Sequence, residues 1–205
     1  MTELGKIEKP SVESFAGKRK LYCVPNVYPA KEAQDEYPAL VNKYWDEVLQ
    51  HTERLESIGK IRKIFCENIS GLGTEALDAL ADVNEPALRL VNKKVEEGAV
   101  FLPAESEEIY GHFLDWSACL HIVRTREVFS KVFEFYSAVA EKRIQYIARF
   151  IEENLSSGEA GLLIMRDEDR IRLQLPTDIE VFLVTPPTYD DILRWFRERL
   201  KEDHS

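Results

Sequence analysis

The sequence predicts an α/β fold: a mixed sheet of about five strands with helices packed on it and a largely helical middle insertion over about 74–155. Two observations lead there. Short runs rich in β-branched and aromatic residues alternate with long stretches whose apolar residues recur every three or four positions. The order along the chain reads strand, helix, strand, helices, three strands and a final helix, which is the pattern of helices layered on a sheet. Strands separated by helices are expected to run parallel through right-handed crossovers.

Each element has a local reason. Residues 1–18 are polar, contain Pro10 and Gly17, and read as a flexible N-terminal arm before a single domain over 19–205. The run "RKLYCVPNVY" at 19–28 is strand-like, and Pro25 ends the strand proper. An amphipathic helix follows, with Val41, Tyr44, Trp45 and Val48 on its apolar face, Pro38 in its first turns and Gly59 as its stop. A second strand spans Lys60 to Ile69 and carries Glu67 where the apolar run gives out. The turn "SGLGT" offers Thr74 as an N-cap for one helix, and Pro86 opens a second that ends before Gly98. "AVFLP" is a short apolar run, and Ser106 precedes a helix. From about 105 to 155 the pattern is helical throughout. Fifty residues would span about 75 Å, too long for one helix in this domain, so a break is expected near 122–127. In the last third, 160–166, 170–176 and 179–187 read as strands, the first two forming a hairpin around "RDEDR". Thr188 and Asp191 resemble a capping box at the start of the last helix.

Composition narrows the function classes. The 44% hydrophobic content suits a chain that buries its own core, and the net charge of −10 disfavours nucleic acid, whose phosphates attract a basic field. No apolar run reaches the roughly 18 residues of a membrane span, and the charged start lacks a signal-peptide core, so the expected place is the cytoplasm. Cys23, Cys66 and Cys119 are odd in number and widely spaced, which argues against a disulfide framework. Cys23 and Cys66 read as small buried residues.

The chemical motifs are sparse. "GLGTEA" at 71–76 fits the start of a dinucleotide fingerprint, but Glu75 and Glu67 would crowd the phosphates and no acidic strand end follows about twenty positions on. The bland reading is a glycine turn before a helix, and no cofactor is expected. No phosphate loop and no Gly-x-Ser-x-Gly elbow occur. His112, Asp115 and Cys119 share a helix face, yet seven residues span about 10 Å, too far for one metal ion. The aromatic residues at helical spacing read as core, and the acidic clusters at 105–108, 152–153 and 167–169 as solvated faces and turns.

"KLYCVPNVY", a helix, and then "KIFCENI" resemble the front half of the TraB/Tiki-like superfamily, which includes erythromycin esterases and ChaN-type proteins. "EKRIQYIARFIEENLSSGEAGLLIMR" resembles its later helix–strand step, and the likeness covers most of 19–187. It implies that Glu67 matches the family glutamate and Arg143 the arginine of a Glu-Arg pair, with Lys142 where the glutamate would stand and Glu141 adjacent. The Gly-x-x-His signature is missing from "VPNVYP", and "LLIMRDEDR" has no glycine–histidine pair. The resemblance therefore implies a divergent member without the usual histidine chemistry.

Two function classes stay open. In the first, the protein is non-catalytic and binds a small molecule or a protein partner at the carboxyl edge of its sheet. In the second, it is a hydrolase-like enzyme with Glu67 as general base and Arg143 holding an anionic group. The bland alternative for Glu67 is a solvated carboxylate, or an ion pair with Lys60 or Arg62. A homodimer through an exposed apolar helix face is a further expectation.

Overall fold

The structure is a computed structural model and describes residues 17–30, 36–71 and 73–202. Most of the arm expected over 1–18 lies outside the described residues. Five strands form one sheet: β1 (Arg19–Val24), β2 (Ile61–Cys66), β3 (Val100–Pro103), β4 (Ala160–Ile164) and β5 (Ile179–Leu183). Their spatial order is β3-β2-β4-β1-β5, and every neighbouring pair is parallel.

The mixed sheet is thus corrected to a parallel one. The expected strand at 170–176 is absent. "DEDR" forms the short helix α5 (Asp167–Arg170), and the chain then runs without a strand to β5. Arg170 and Leu173 turn the backbone, since Leu173 N–H donates to the Arg170 carbonyl at 3.1 Å, so no hairpin forms. "VFLP" supplies the fifth strand instead, so the span 74–155 is not wholly helical.

The remaining helices are α1 (Tyr37–Leu55), α2 (Gly73–Glu96), α3 (Glu107–Ile122), α4 (Arg126–Asn154) and α6 (Pro187–Glu202). Side-chain alternation along the strands builds two cores. Tyr22, Val24, Leu162 and Ile164 point to a layer filled by Tyr44, Val48, Leu80, Leu90 and Ile192 from α1, α2 and α6. Leu21, Cys23, Phe65 and Leu163 point the other way, onto Ile144, Ile147 and Ile151 of α4. A strand buried on both faces must be apolar throughout, and all five residues of β4 are buried. Gly161 sits there because a Cβ would stand 3.0 Å from the Phe65 ring.

Helix ends follow the side chains available. Ser106 and Thr125 accept hydrogen bonds from Ile109 and Val128 N–H and cap α3 and α4, placing the expected break at 123–125. Thr74 lies inside α2, which starts at Gly73, and so does not cap it. The second half of α2 is capped by Asn84, whose backbone leaves the helix at φ −153°, ψ 72°. Its Oδ1 accepts from Ala87 N–H at 3.3 Å, with Pro86 inside the new first turn. The Thr188 capping box is also corrected: α6 starts at Pro187, and the buried Thr188 hydroxyl has no hydrogen-bond partner among the described residues.

The strand order fixes where a site can lie. From β1 the chain moves through β2 to the β3 edge, then returns through β4 to the β5 edge. Adjacent β2 and β4 therefore send their connections in opposite directions. A doubly wound sheet opens its crevice at the carboxyl ends of such a pair.

Candidate functional site at the carboxyl edge

Glu67 follows β2 and Arg166 follows β4, so both stand at that switch point. Backbone pairing continues one step beyond the strands: Glu67 N–H donates to the Ile164 carbonyl at 3.1 Å. The Glu67 side chain turns inward and is completely buried. Its Oε1 accepts from Arg166 N–H at 2.8 Å and from Asn26 Nδ2 at 3.4 Å. Its Oε2 lies 3.5 Å from Arg143 Nη2, so the structure brings the two predicted residues together. Its ion pairs are with Arg143 and Arg166, not with Lys60 or Arg62.

Arg143 reaches the edge from α4 and is itself buried. Nε donates to both oxygens of Glu105 at 2.9 and 3.0 Å, and Nη2 donates to Glu105 Oε1 at 2.5 Å. Nη1 donates to Asp169 at 2.7 Å, and Nη2 also reaches Asn68 Oδ1 at 3.2 Å. The guanidinium further lies over the rings of Phe113 at 4.9 Å and Tyr110 at 5.8 Å. Burial by itself favours the neutral base, but Glu105 and the other carboxylates outweigh it and hold Arg143 above its ordinary value.

Sequence reasoning placed Glu105 and Asp169 among solvated acidic clusters, and the structure corrects both. Glu105 is buried against Arg143, and it also accepts from Asn68 N–H at 2.9 Å. A signal was present: Glu105 follows the apolar run of β3 just as Glu67 follows β2. Asp169 comes to the site because α5 folds back, which no local pattern announces.

A polar ring joins the strand ends. Asn84 Nδ2 donates to Asn26 Oδ1 and to the Val27 carbonyl, each at 3.0 Å. Asn26 Nδ2 and Asn68 Nδ2 both donate to the Tyr28 hydroxyl at 2.7 Å. Asn68 adopts φ 60°, the left-handed region that Asn tolerates better than most residues. That turn lets its backbone face Glu105 while its side chain spans Arg143 and Tyr28.

Electrostatically the cluster is uneven. Burial pushes the Glu67 carboxyl up to about 7, against the pull of Arg166 and Arg143 and of the Arg166 N–H. Glu67 is close to two guanidiniums, but at 3.5 Å from each, whereas Glu105 and Asp169 hold Arg143 at short range. Burial also raises the Tyr28 phenol. Arg166 is the open member, with 44% of its side chain exposed. Its Nη2 donates to Asp169 at 3.2 Å, and among the described residues its Nη1 has no acceptor. The Tyr28 oxygen accepts twice, and no acceptor among the described residues takes its proton.

The other sequence candidates lie elsewhere. His112 and Asp115 lie on α3, away from the sheet, with Cys119 beside them. Among the described residues no three His, Cys, Asp or Glu side chains stand where they could share a metal ion. Cys23 and Cys66 are buried free thiols in the sheet, and burial pushes Cys23 up to about 12. Among the described residues no helix is long and apolar enough to cross a membrane. Comparisons with protein families, with curated proteins and with solved structures returned no match.

Proposed function

We propose that the protein binds a small anionic molecule at the carboxyl edge between β2 and β4, without transforming it. The observation that carries this reading is the division of labour among the polar groups. The buried members, Glu67, Glu105, Arg143 and Asn84, satisfy one another. Two donors are left over at the rim, Arg166 Nη1 and the Tyr28 hydroxyl, among the described residues. Free donors select a ligand that brings acceptors, such as a carboxylate or a phosphate ester, and a guanidinium favours an anionic one. Arg143 is not the ligand's cation in this reading. Its bonds are taken up by Glu105, Asp169, Asn68 and Glu67, and it serves to position them. The resemblance to the TraB/Tiki-like superfamily is compatible with this proposal, in that Glu67 and Arg143 carry it and the histidines that would do chemistry are lacking.

The test is a thermal-shift survey of small di- and tricarboxylates and phosphate monoesters. A ligand at about 100 times its Kd stabilises by about 2.7 kcal/mol, which raises Tm by about 5–10 °C for a chain of this size. Arg166→Ala should abolish that rise, measured against the variant's own unliganded melt. An equal rise in the variant refutes the assignment of Arg166.

One observation favours the hydrolase-like reading. Burial lifts the Glu67 carboxyl to about 7, and a general base needs a proton affinity near the working pH. If Glu67 serves so, Glu67→Gln abolishes hydrolysis of carboxylic and phosphate esters. Hydrolysis that survives the substitution eliminates this role.

A further inference from the structure

The 29-residue helix α4 is used over only half its length. Its buried residues, Ala140, Arg143, Ile144, Ile147, Ala148 and Ile151, all lie in the second half. Arg143 marks the carboxyl edge of the sheet. The 17 positions from Arg126 to Arg143 therefore carry the helix about 25 Å beyond that edge. There α4 packs on α3, as an antiparallel helical hairpin.

This hairpin is too apolar for its surroundings. More than half of the sixteen residues of α3 are apolar, yet only Phe113 is buried. A helix with this much uncovered apolar surface marks a place of contact. A continuous ladder of rings runs from the candidate site to the tip. Arg143 lies under Tyr110 and Phe113, and Phe113 meets Tyr136 at 5.3 Å. Tyr136 meets Phe133 at 6.3 Å, and Phe133 stacks with Phe129 at 6.1 Å. The outer rungs are open: Phe129 is 45% and Phe133 50% exposed.

We propose that a second copy of this chain covers the ladder, the two hairpins packing antiparallel about a two-fold axis into a four-helix bundle. Area and charge both point to this occupant. A Phe left half-exposed presents about 100 Å². With Leu114 similarly open on the same side, this face of the hairpin offers about 300 Å² of apolar side chain. Apolar atoms make up about 60% of an interface, so two such faces correspond to about 1,000 Å² buried in all, the size at which specific interfaces begin. Two hairpins facing one another is also the usual way helix pairs complete a bundle core.

Charge sets the direction. The base of α3 carries exposed Glu107 and Glu108, while the tip carries exposed Arg124 and Arg126. Glu127 at the tip is matched within α4 by Lys131 at 3.8 Å. Antiparallel pairing sets each basic tip against its mate's acidic base, whereas tip-to-tip pairing would set like charges together.

Sedimentation velocity on the full chain tests the proposal. At about 50 µM and low salt the wild-type chain should sediment at twice its 23.7 kDa. Phe133→Asp should weaken association by about 30-fold or more and yield a monomer. Its circular dichroism should stay close to the wild type, because the Phe133 ring is half-exposed and lies outside both cores of the single chain. Arg124→Glu with Arg126→Glu should also be monomeric. Mixing that variant with Glu107→Lys plus Glu108→Lys should restore a dimer. A monomeric wild type, or a Phe133→Asp chain that still sediments as a dimer, overturns the proposal. A wild-type dimer whose charge-reversed variants do not associate on mixing overturns the antiparallel arrangement.

Discussion

Replacing Glu67 by Gln removes the one carboxyl of the buried cluster that lacks a short ion pair. Arg143 bonds Glu105 and Asp169 at 2.5–3.0 Å, while Glu67 stands 3.5 Å from both Arg143 and Arg166. Burial then dominates and lifts its folded-state value from 4.5 to about 7. At about 1.4 kcal/mol for each tenfold change in proton affinity, that rise corresponds to about 3 kcal/mol. Below pH 4.5 the carboxyl is protonated in both the folded and the unfolded chain. Between 4.5 and 7 the unfolded chain releases this proton while the folded one keeps it, so stability falls as pH rises. Above 7 both are ionised and the whole contribution is gone. The amide introduced by Glu67→Gln is neutral throughout and escapes the decline, and its oxygen can still accept from Arg166 N–H. Urea denaturation of both proteins at about pH 4.5 and 8 reads the difference, since other groups titrate alike in each. Glu67→Gln should gain about 3 kcal/mol on the wild type between the two pH values, or about 10 °C in Tm. A gap that does not change with pH, or one in which the variant loses ground at pH 8, would show that the ionised carboxylate is the better-held form and refute the reasoning.

Other substitutions probe the same edge and the sheet beneath it. Arg143→Met strips Glu105 of its buried partner and should cost about 3–5 kcal/mol at pH 7. Much of that loss should return on acidification, as the stranded carboxyls take up protons, and a urea series against pH would show it. Asn84→Ala removes the cap of the second half of α2 together with its bonds to Asn26 and Val27. It should cost about 2–3 kcal/mol, and faster hydrogen exchange should be confined to the α2 kink and the end of β1. Gly161→Ala forces a methyl to within 3.0 Å of the Phe65 ring and 3.3 Å of Leu155. Overpacking of about 1–3 kcal/mol is expected, measurable as a lower Tm with no change at the carboxyl edge.

Elements whose causes lie within a few residues are legible along the chain. Apolar period and β-branching mark β1, β2, β4 and β5, and the capping side chains of Ser106 and Thr125 bound α3 and α4. Glu67 was legible as a candidate because it ends an apolar run, whereas Arg143 was singled out only by the resemblance to a Glu-Arg pair. Tertiary structure decided the rest. "RIRLQLP" has strand composition, yet it follows a helical turn and β5 takes the place beside β1, so among the described residues it pairs with no strand. "VFLP" is too short to declare itself and becomes a strand only because β2 offers a free edge. Glu105 and Asp169 look like surface acids in sequence. Only the folded chain, which brings α4 across the ends of β2 and β3, supplies the guanidinium that offsets the cost of burying them. A charge is placed by its partner, and the carboxylates around Arg143 stand between 26 and 76 positions from it along the chain, beyond the reach of any local pattern.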